Sequence, residues 1–271
     1  MKCLRRDISG ALCLFIPLAL SAQDKSDEVP EANPGRPTVT TPATLTPVGY
    51  LQFENGALYA SKSTEFSMRF GINQVIRLAV TSRIQLLELS EPFVHSTGSD
   101  APGAKLGEVF AGLQTVLLKG DERRPTVSLS YIRRFHESTA PEVDIGTFRQ
   151  SALVLVSGDA GKFHFDLNGI ATEQAGGAVR RAQYGQTLSV SHLLGPISVS
   201  GELWHFSQPL TRGNAVGNLW AASYSLKRNL VLDAGFDHGL TGTSTHWEGF
   251  AGFTYLLPHR LWHEQIGRAH V

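Results

Sequence analysis

The sequence predicts an all-β protein, a transmembrane up-and-down antiparallel β-barrel of about 12 strands. Alternation of apolar and polar residues at period two recurs for roughly 200 residues after Val48, without a sustained helical period. Short and longer connections alternate along the same region, as they do in a meander barrel whose turns are short on one side of a membrane. Tyrosine and tryptophan fall mostly on the apolar face near strand ends, where membrane barrels carry aromatic girdles.

Residues 1–22 are predicted to be a signal peptide. The start is positively charged, residues 11–20 are apolar, and small residues near the end of the segment suit cleavage. The apolar run is too short for a spanning helix, which needs about 20 residues. Both cysteines, Cys3 and Cys13, lie in this segment, so the exported chain is expected to contain no cysteine.

Residues 23–47 are polar and rich in proline and threonine, which predicts an extended periplasmic leader without a core of its own. The sequence does not decide whether this leader enters the lumen. Residues 48–258 are predicted to form the barrel, and residues 259–271 a tail. The reading frame ATC GGA AGA GCA CAC GTC of a common sequencing adapter encodes Ile-Gly-Arg-Ala-His-Val, so residues 266–271 are predicted to be adapter translation.

The clearest strands set large apolar residues against polar ones. In "KFHFDLNG", for example, Phe163, Phe165 and Leu167 share one face, opposite His164 and Asp166. The predicted strands lie near 49–58, 63–72, 75–90, 107–119, 125–137, 147–157, 161–172, 181–193, 196–207, 216–226, 230–239 and 246–257.

The connections between these strands are predicted to be of two kinds. Tight periplasmic turns are expected at 73–74, 120–124, 157–161, 194–196 and 227–229. Longer outer loops are expected at 91–106, 138–146, 173–180, 208–215 and 240–245.

The face that meets lipid decides between a membrane barrel and a soluble one, because a soluble barrel turns its apolar face inward. Soluble eight-stranded barrels are much shorter than this chain. Aromatic residues near strand ends favour the membrane barrel, although they could also belong to the core of a soluble one. These residues are Tyr50, Tyr131, Tyr184, Trp220, Tyr224, Trp247 and Tyr255.

The polar face carries charges of both signs, which is typical of a water-filled or polar-plugged lumen. The charged side chains predicted to face the lumen are Glu54, Glu65, Arg69, Arg77, Arg83, Arg134, Asp166, Glu202, Asp233, Asp237 and Glu248. Rings of such charges, together with a constriction formed by the loop at 91–106, are expected to set selectivity.

The sequence favours a protein that is not an enzyme and has no cofactor or metal site. Its 10 histidines form no recognisable ligand cluster, and no Gly-x-Ser-x-Gly motif is present. A less favoured alternative is an outer-membrane enzyme. It would modify lipids through His95 and Ser96, or act on peptides through Asp237 and His238. The balance of 24 basic and 24 acidic residues gives no reason to expect nucleic acid as a partner.

The stretch "GRPTVTTPATLTPVGYLQFENGALYA" (35–60) resembles the opening of the outer-membrane transporter family named for a meta-pathway of phenol degradation. In that family a leader rich in threonine and proline precedes a first strand of the form Gln-x-Glu-x-Gly, here Gln52, Glu54 and Gly56. Residues 70–80 and 229–258 are similar to its second and closing hairpins. The resemblance implies a barrel of about twelve strands that passes small hydrophobic or aromatic compounds.

The function predicted from these observations is passive passage of small solutes through the bacterial outer membrane. The expected partners are outer-membrane lipid, the solutes themselves and the barrel assembly machinery. The alternative is a structural barrel whose lumen is plugged.

Overall fold

A computed structural model of the protein describes residues 29–144, 148–176, 179–210 and 213–262. The predicted signal peptide and residues 266–271 lie outside the described residues. Among the residues described, no helix is long and apolar enough to span a membrane. The strands are β1 (Leu51–Ser61), β2 (Met68–Ala79), β3 (Ile84–Thr97), β4 (Gly103–Lys105), β5 (Val109–Leu118), β6 (Thr126–His136), β7 (Phe148–Ala160), β8 (Phe163–Gly176), β9 (Val179–Leu194), β10 (Ile197–Gln208), β11 (Gly213–Lys227), β12 (Leu230–Gly239) and β13 (Trp247–Leu256).

Twelve long strands form a closed antiparallel barrel, which confirms the predicted fold class. Each long strand pairs with its neighbours along the chain, and β1 pairs with both β2 and β13, so the sheet closes on itself. The remaining strand, β4, is short. It pairs only with β3, for example through Lys105 of β4 and Val94 of β3. It extends the β3–β5 connection and takes no part in closure.

The two ends of the barrel differ in their connections. Strand β1 begins and β13 ends at one end, which we call the terminal end; the other is the loop end. Apart from the seven-residue β5–β6 connection, the terminal end carries turns of two to four residues, for example between β9 and β10 or β11 and β12. Because outer-membrane barrels have short periplasmic turns and longer outer loops, the terminal end corresponds to the periplasmic side.

The predicted turn at 73–74 is wrong. Strand β2 continues through both residues to Ala79, and the turn follows at 80–83. The register of β2 against β3 shifts between Ile72 and Gln74, where β3 has one extra residue. This β-bulge interrupts the alternating pattern locally without ending the ladder, so that it mimics a turn in the sequence.

The predicted long loop at 173–180 is also wrong. Strands β8 and β9 continue into it, and Gly176 pairs with Val179. The polar residues of this stretch suggested a loop, but a strand that extends beyond the lipid meets water on both faces and needs no apolar residues there.

The outer face of the barrel is apolar and the inner face is polar, the reverse of a soluble barrel. Exposed apolar side chains include Leu113, Leu129, Val154, Leu167, Leu188, Leu203 and Leu232. Buried polar side chains on the alternate positions include Gln52, Glu54, Arg69, Gln85, Gln114, Asn168, Thr187, Glu202 and Thr254. An exterior of this kind requires lipid, which explains why apolar and polar residues alternate over the whole barrel.

Most of the aromatic residues singled out in the sequence point away from the barrel. Tyr131, Tyr184, Trp220, Tyr224 and Trp247 are all exposed. Tyrosine and tryptophan at such positions have an apolar ring in the lipid and a polar group at its interface. Tyr50 differs, since it is buried at the terminal end with the Arg260 guanidinium 5.9 Å from its ring centroid.

An arginine at the lipid-facing centre of a strand is expected to destabilise the barrel. Val154 is the middle residue of β7 and is 50% exposed. Val154→Arg should lower the free energy of unfolding by about 2–4 kcal/mol, because the guanidinium must enter the middle of the bilayer. The matched control is Ala160→Arg, at the end of the same strand, which should cost much less. Equal losses in guanidinium unfolding from vesicles would contradict the assignment of this face to lipid.

Candidate functional site

The leader lies inside the barrel and follows its inner wall. Residues 32–49, which we call the collar, form hydrogen bonds with ten of the twelve long strands, in the order in which those strands follow one another around the barrel. The bonded pairs include Gly35–Glu54 on β1, Arg36–Asp233 on β12, Thr40–Glu202 on β10, Thr40–Thr187 on β9, Thr41–Asn168 on β8, Ala43–Ser157 on β7, Ala43–Ser128 on β6, Pro42–Gln114 on β5, Thr46–Gln85 on β3 and Gly49–Ala79 on β2. The collar thus makes one circuit of the terminal half of the lumen.

Glu202 anchors the collar through three hydrogen bonds. Its carboxylate accepts hydrogen bonds from the Val39 and Thr40 backbone N–H groups, both at 2.8 Å, and from Thr40 Oγ1 at 2.6 Å. Thr40 Oγ1 also lies 2.8 Å from Thr187 Oγ1. A hydrogen bond to a carboxylate is stronger than one to a neutral acceptor, so this contact fixes Val39 and Thr40 firmly to the wall.

Arg36 joins the collar to strand β12 through a bidentate pair with Asp233, at 3.0 and 3.3 Å. The guanidinium lies directly over β1 and β13. A Cβ at Gly56 would be 2.3 Å from it, and a Cβ at Gly252 would be 2.7 Å away. Only glycine leaves room for the arginine at these two positions.

These contacts explain the Gln-x-Glu-x-Gly pattern of the first strand. Gln52 exchanges hydrogen bonds with the backbone of Asn33, and Glu54 accepts one from the Gly35 N–H. Gly56 makes room for the arginine that follows. The three positions alternate along β1, so all three face inward and seat the beginning of the collar.

Two adjoining cavities of about 290 and 330 Å³ lie beyond the collar, toward the loop end. We call them together the chamber. They share the lining residues Val39, Asn73, Glu91, Glu142 and Phe206. The chamber is bounded by the collar on one side and by the β6–β7 loop on the other.

The β6–β7 loop, described for residues 137–144, folds inward over the chamber. The Arg69 Nε donates a hydrogen bond to the Pro141 carbonyl at 2.8 Å, and the Thr245 N–H donates one to Asp144 Oδ1 at 2.7 Å. The inward constriction predicted at 91–106 is not formed there, because residues up to Thr97 continue strand β3. The loop that enters the lumen is the following one at the loop end, between β6 and β7.

Burial raises the pKa of two carboxyl groups in this loop. The pKa of Glu142 lies well above its ordinary value, because the group is desolvated and the negative charge of Glu91 is near, while Arg69 opposes the shift. Burial also raises the pKa of Asp144, against the lowering effect of its hydrogen bonds with Glu248 and Thr245.

The inward position of the loop is therefore expected to depend on pH. A carboxyl group whose pKa is raised on burial favours the buried state when it is protonated, and this contribution is lost as the pH rises through the raised pKa. The charged groups that influence Glu142 are Glu65, Arg69, Glu91 and Glu108, and Glu248 and Asp237 face Asp144. Conductance in planar bilayers should be lower at about pH 5 than at about pH 8.

The variant Glu142→Gln mimics the protonated group at all pH values. It should keep the loop docked and reduce the increase in conductance toward alkaline pH. An unchanged pH profile in this variant would show that the loop does not respond through Glu142.

Nine of the eleven predicted lumen charges lie on wall strands and point inward or line the cavities: Glu54, Arg69, Arg77, Arg134, Asp166, Glu202, Asp233, Asp237 and Glu248. Several are paired, with Arg77 Nε 2.7 Å from Glu54 and Arg134 Nη1 2.6 Å from Glu108. Glu65 lies instead in the β1–β2 loop. Arg83 lies in the β2–β3 turn, because that turn is at 80–83.

Sequence reasoning missed the aromatic part of the chamber wall. Trp204 and Phe206 are 3% and 1% exposed, and the Trp204 indole donates a hydrogen bond to Asp237 Oδ2 at 2.6 Å. A signal was available, since both residues alternate in register with the inward Glu202. The sequence also did not indicate that Glu142 and Asp144 line the lumen, because the alternating pattern that identifies inward-facing residues does not extend into loops.

The structure does not assemble the candidate catalytic pairs. Asp237 is buried on the inner face, whereas His238 contacts Trp247 on the outer face, with ring centroids 4.3 Å apart. Ser96 is buried and lies beside Ser99, and His95 is on the other face of β3. Within the described residues, no three histidine, cysteine, aspartate or glutamate side chains are placed to hold a metal ion.

A third cavity of about 300 Å³ lies at the terminal end. It is lined by serines of the wall, among them Ser189, Ser200 and Ser223, and by collar residues. Arg36, Pro37 and Thr38 line both this cavity and the chamber, so these three residues separate the two spaces.

A closed antiparallel barrel with an apolar exterior and a polar, partly open interior is the fold of bacterial outer-membrane channels and porins. No family model and no curated protein matches the sequence.

Solved structures nevertheless share the fold. A crystal structure of an outer membrane channel from Pseudomonas putida F1 matches with a TM-score of 0.60 and 14% identity, over 83% of this chain and 100% of that one. A porin, KdgM in complex with disordered oligogalacturonate, matches with a TM-score of 0.50 and 7% identity, over 75% of this chain and 98% of that one. At these identities the similarity concerns the fold.

Proposed function

We propose that this protein resides in the bacterial outer membrane and lets small solutes cross it passively. The observation that carries the proposal is the series of cavities along the lumen, with the chamber on one side of the collar and the serine-lined space on the other. Water and small polar molecules can occupy such spaces, which a solid core would not leave.

The collar sets the conditions for passage. Residues 36–38 separate the two spaces, so a solute crosses when this part of the collar moves away from the wall. The collar is held by hydrogen bonds and ion pairs and buries few large apolar side chains, which suits a segment that detaches without unfolding the barrel.

The resemblance to the transporter family of phenol degradation supports hydrophobic or aromatic compounds as solutes. The Gln-x-Glu-x-Gly positions on which the resemblance rests seat the collar in this chain. The aromatic wall formed by Trp204 and Phe206 is consistent with such compounds.

A structural barrel with a plugged lumen is the second candidate, because the collar binds ten of the twelve long strands. Swelling of vesicles that contain the purified barrel separates the two functions. Passage predicts uptake of small neutral solutes above the rate of empty vesicles, whereas a permanently plugged barrel gives the empty-vesicle rate. Heat-modifiable gel migration confirms that the reconstituted protein is folded.

A further inference from the structure

The chamber contains an excess of acidic groups. Six carboxylates line its two cavities, against the two guanidinium groups of Arg36 and Arg69: Glu91, Glu108, Glu142, Asp144, Asp237 and Glu248. The arginines have partners already. Arg36 pairs with Asp233, and Arg69 pairs with Glu91 at 2.6 Å.

Four of the six carboxylates have no ion-pair partner within the described part of the chain. Glu108 is paired with Arg134, which leaves Glu142, Asp144, Asp237 and Glu248. Burying uncompensated carboxylates is unfavourable unless a proton or a cation accompanies them.

The Asp237 carboxylate has an oxygen that is free to accept. The residue is 4% exposed and lines the chamber, and its Oδ2 accepts the Trp204 indole N–H at 2.6 Å. Its Oδ1 is buried and has no hydrogen-bond partner, and the same holds for Glu142 Oε1. A donor within the chamber would satisfy both oxygens, which are otherwise costly to bury.

Asp144 and Glu248 are hydrogen-bonded to each other through their carboxyl groups. Two adjacent carboxyl groups cannot both be ionised without a compensating charge, so they share a proton or hold a cation. Asp237 lies on the same side of the cavity, and its negative charge acts on both Asp144 and Glu248.

The remaining wall of this cavity is apolar and aromatic. Trp204, Phe206 and Phe250 line it, with the ring centroids of Trp204 and Phe206 5.9 Å apart. Aromatic faces attract cations and also accept an apolar ligand body. A cavity of about 290 Å³ is at the small end of ligand pockets and suits a molecule with one ring.

We propose that the chamber binds small organic cations, with an ammonium or guanidinium head beside Asp237 and Glu248 and an apolar body against Trp204 and Phe206. This inference rests on the proposed function to the extent that the bound cations are the solutes that cross. A bare metal ion is a poorer ligand, because the aromatic wall offers it no donor atoms and no three ligand side chains of the described residues converge.

The test compares three probes of one shape: benzylammonium, benzyl alcohol and benzoate. Calorimetric titration into the purified full-length barrel in detergent should show binding in that order of affinity, with benzoate weakest. Asp237→Asn and Glu248→Gln remove one negative charge each but keep a hydrogen-bonding side chain of the same shape. Each should weaken benzylammonium binding by about tenfold and leave benzyl alcohol nearly unchanged. Glu122→Gln, in an exposed turn, is the matched control.

Equal affinity of the wild-type protein for benzylammonium and benzyl alcohol would overturn the proposal, and this comparison needs no variant to fold. If folded Asp237→Asn and Glu248→Gln bind benzylammonium as tightly as the wild-type protein, the assignment of the site to these carboxylates is wrong. Vesicle uptake is measured separately. Binding without uptake would support the cation site and contradict the proposed passage of solutes. Uptake without a preference for the charged probe would support passage and contradict the cation site.

Discussion

Removal of residues 30–47, which include all but the last two residues of the collar, is expected to increase the conductance of the barrel several-fold. The deletion keeps the predicted signal peptide and strand β1, so export and closure of the sheet are preserved. Without the collar, the chamber and the serine-lined cavity join into one water-filled lumen. Single-channel recording in planar bilayers measures the change directly, and the increase should be present at all voltages at which the wild-type channel is stable.

Folding of this variant must be checked, because Glu54, Glu202 and Asp233 lose their collar partners. These carboxylates would then face open water in the widened lumen, which lowers the cost of leaving them unpaired. Heat-modifiable gel migration should therefore still report a folded barrel. A folded deletion variant with wild-type conductance would show that the β6–β7 loop, and not the collar, limits flow.

Fixing the collar to the wall should have the opposite effect. Thr40 Oγ1 and Thr187 Oγ1 are 2.8 Å apart, so cysteines at both positions bring their sulfur atoms within reach of a disulfide. In Thr40→Cys/Thr187→Cys the oxidised protein should lose most of its solute uptake, and a reductant should restore it. The mature chain is predicted to contain no cysteine, so no competing disulfide is expected.

The single variant Thr187→Cys is the control, since it carries a thiol without a partner. If the oxidised double variant takes up solutes as fast as the reduced one, the collar does not move during passage. Solutes would then cross through a fixed opening inside the ring.

The strand pattern was predictable because every strand of a membrane barrel repeats one physical contrast. A residue that faces lipid must be apolar, and its neighbour in the chain faces a polar interior. Twelve predicted segments correspond to the twelve long strands for this reason. The strand assignment is wrong at the bulge near Asn73, and at Glu91 to Thr97 and Glu173 to Arg181, where strands continue into predicted loops.

The contents of the lumen were less predictable. Alternation shows that Glu202 points inward, but it does not reveal that Thr40, far away in the sequence, supplies the donors for it. Proline and threonine in the leader indicate an extended segment in water and equally one that follows a polar wall. Glu142 and Asp144 lie in a loop. From the sequence alone, a charged residue in a loop is expected to be exposed to solvent.

Because the collar follows a circular path, its length is related to the circumference of the barrel. Twelve tilted strands give a backbone circumference of about 75 Å, and a chain packed against the inside follows a circle of about 45 Å. Asn33 to Gly49 spans at most about 55 Å when extended, which is enough for one circuit with its bends. A barrel with two more strands would be too wide for the ring to close, and one with two fewer would leave slack. The segment that precedes the first strand is thus matched in length to the number of strands that follow it.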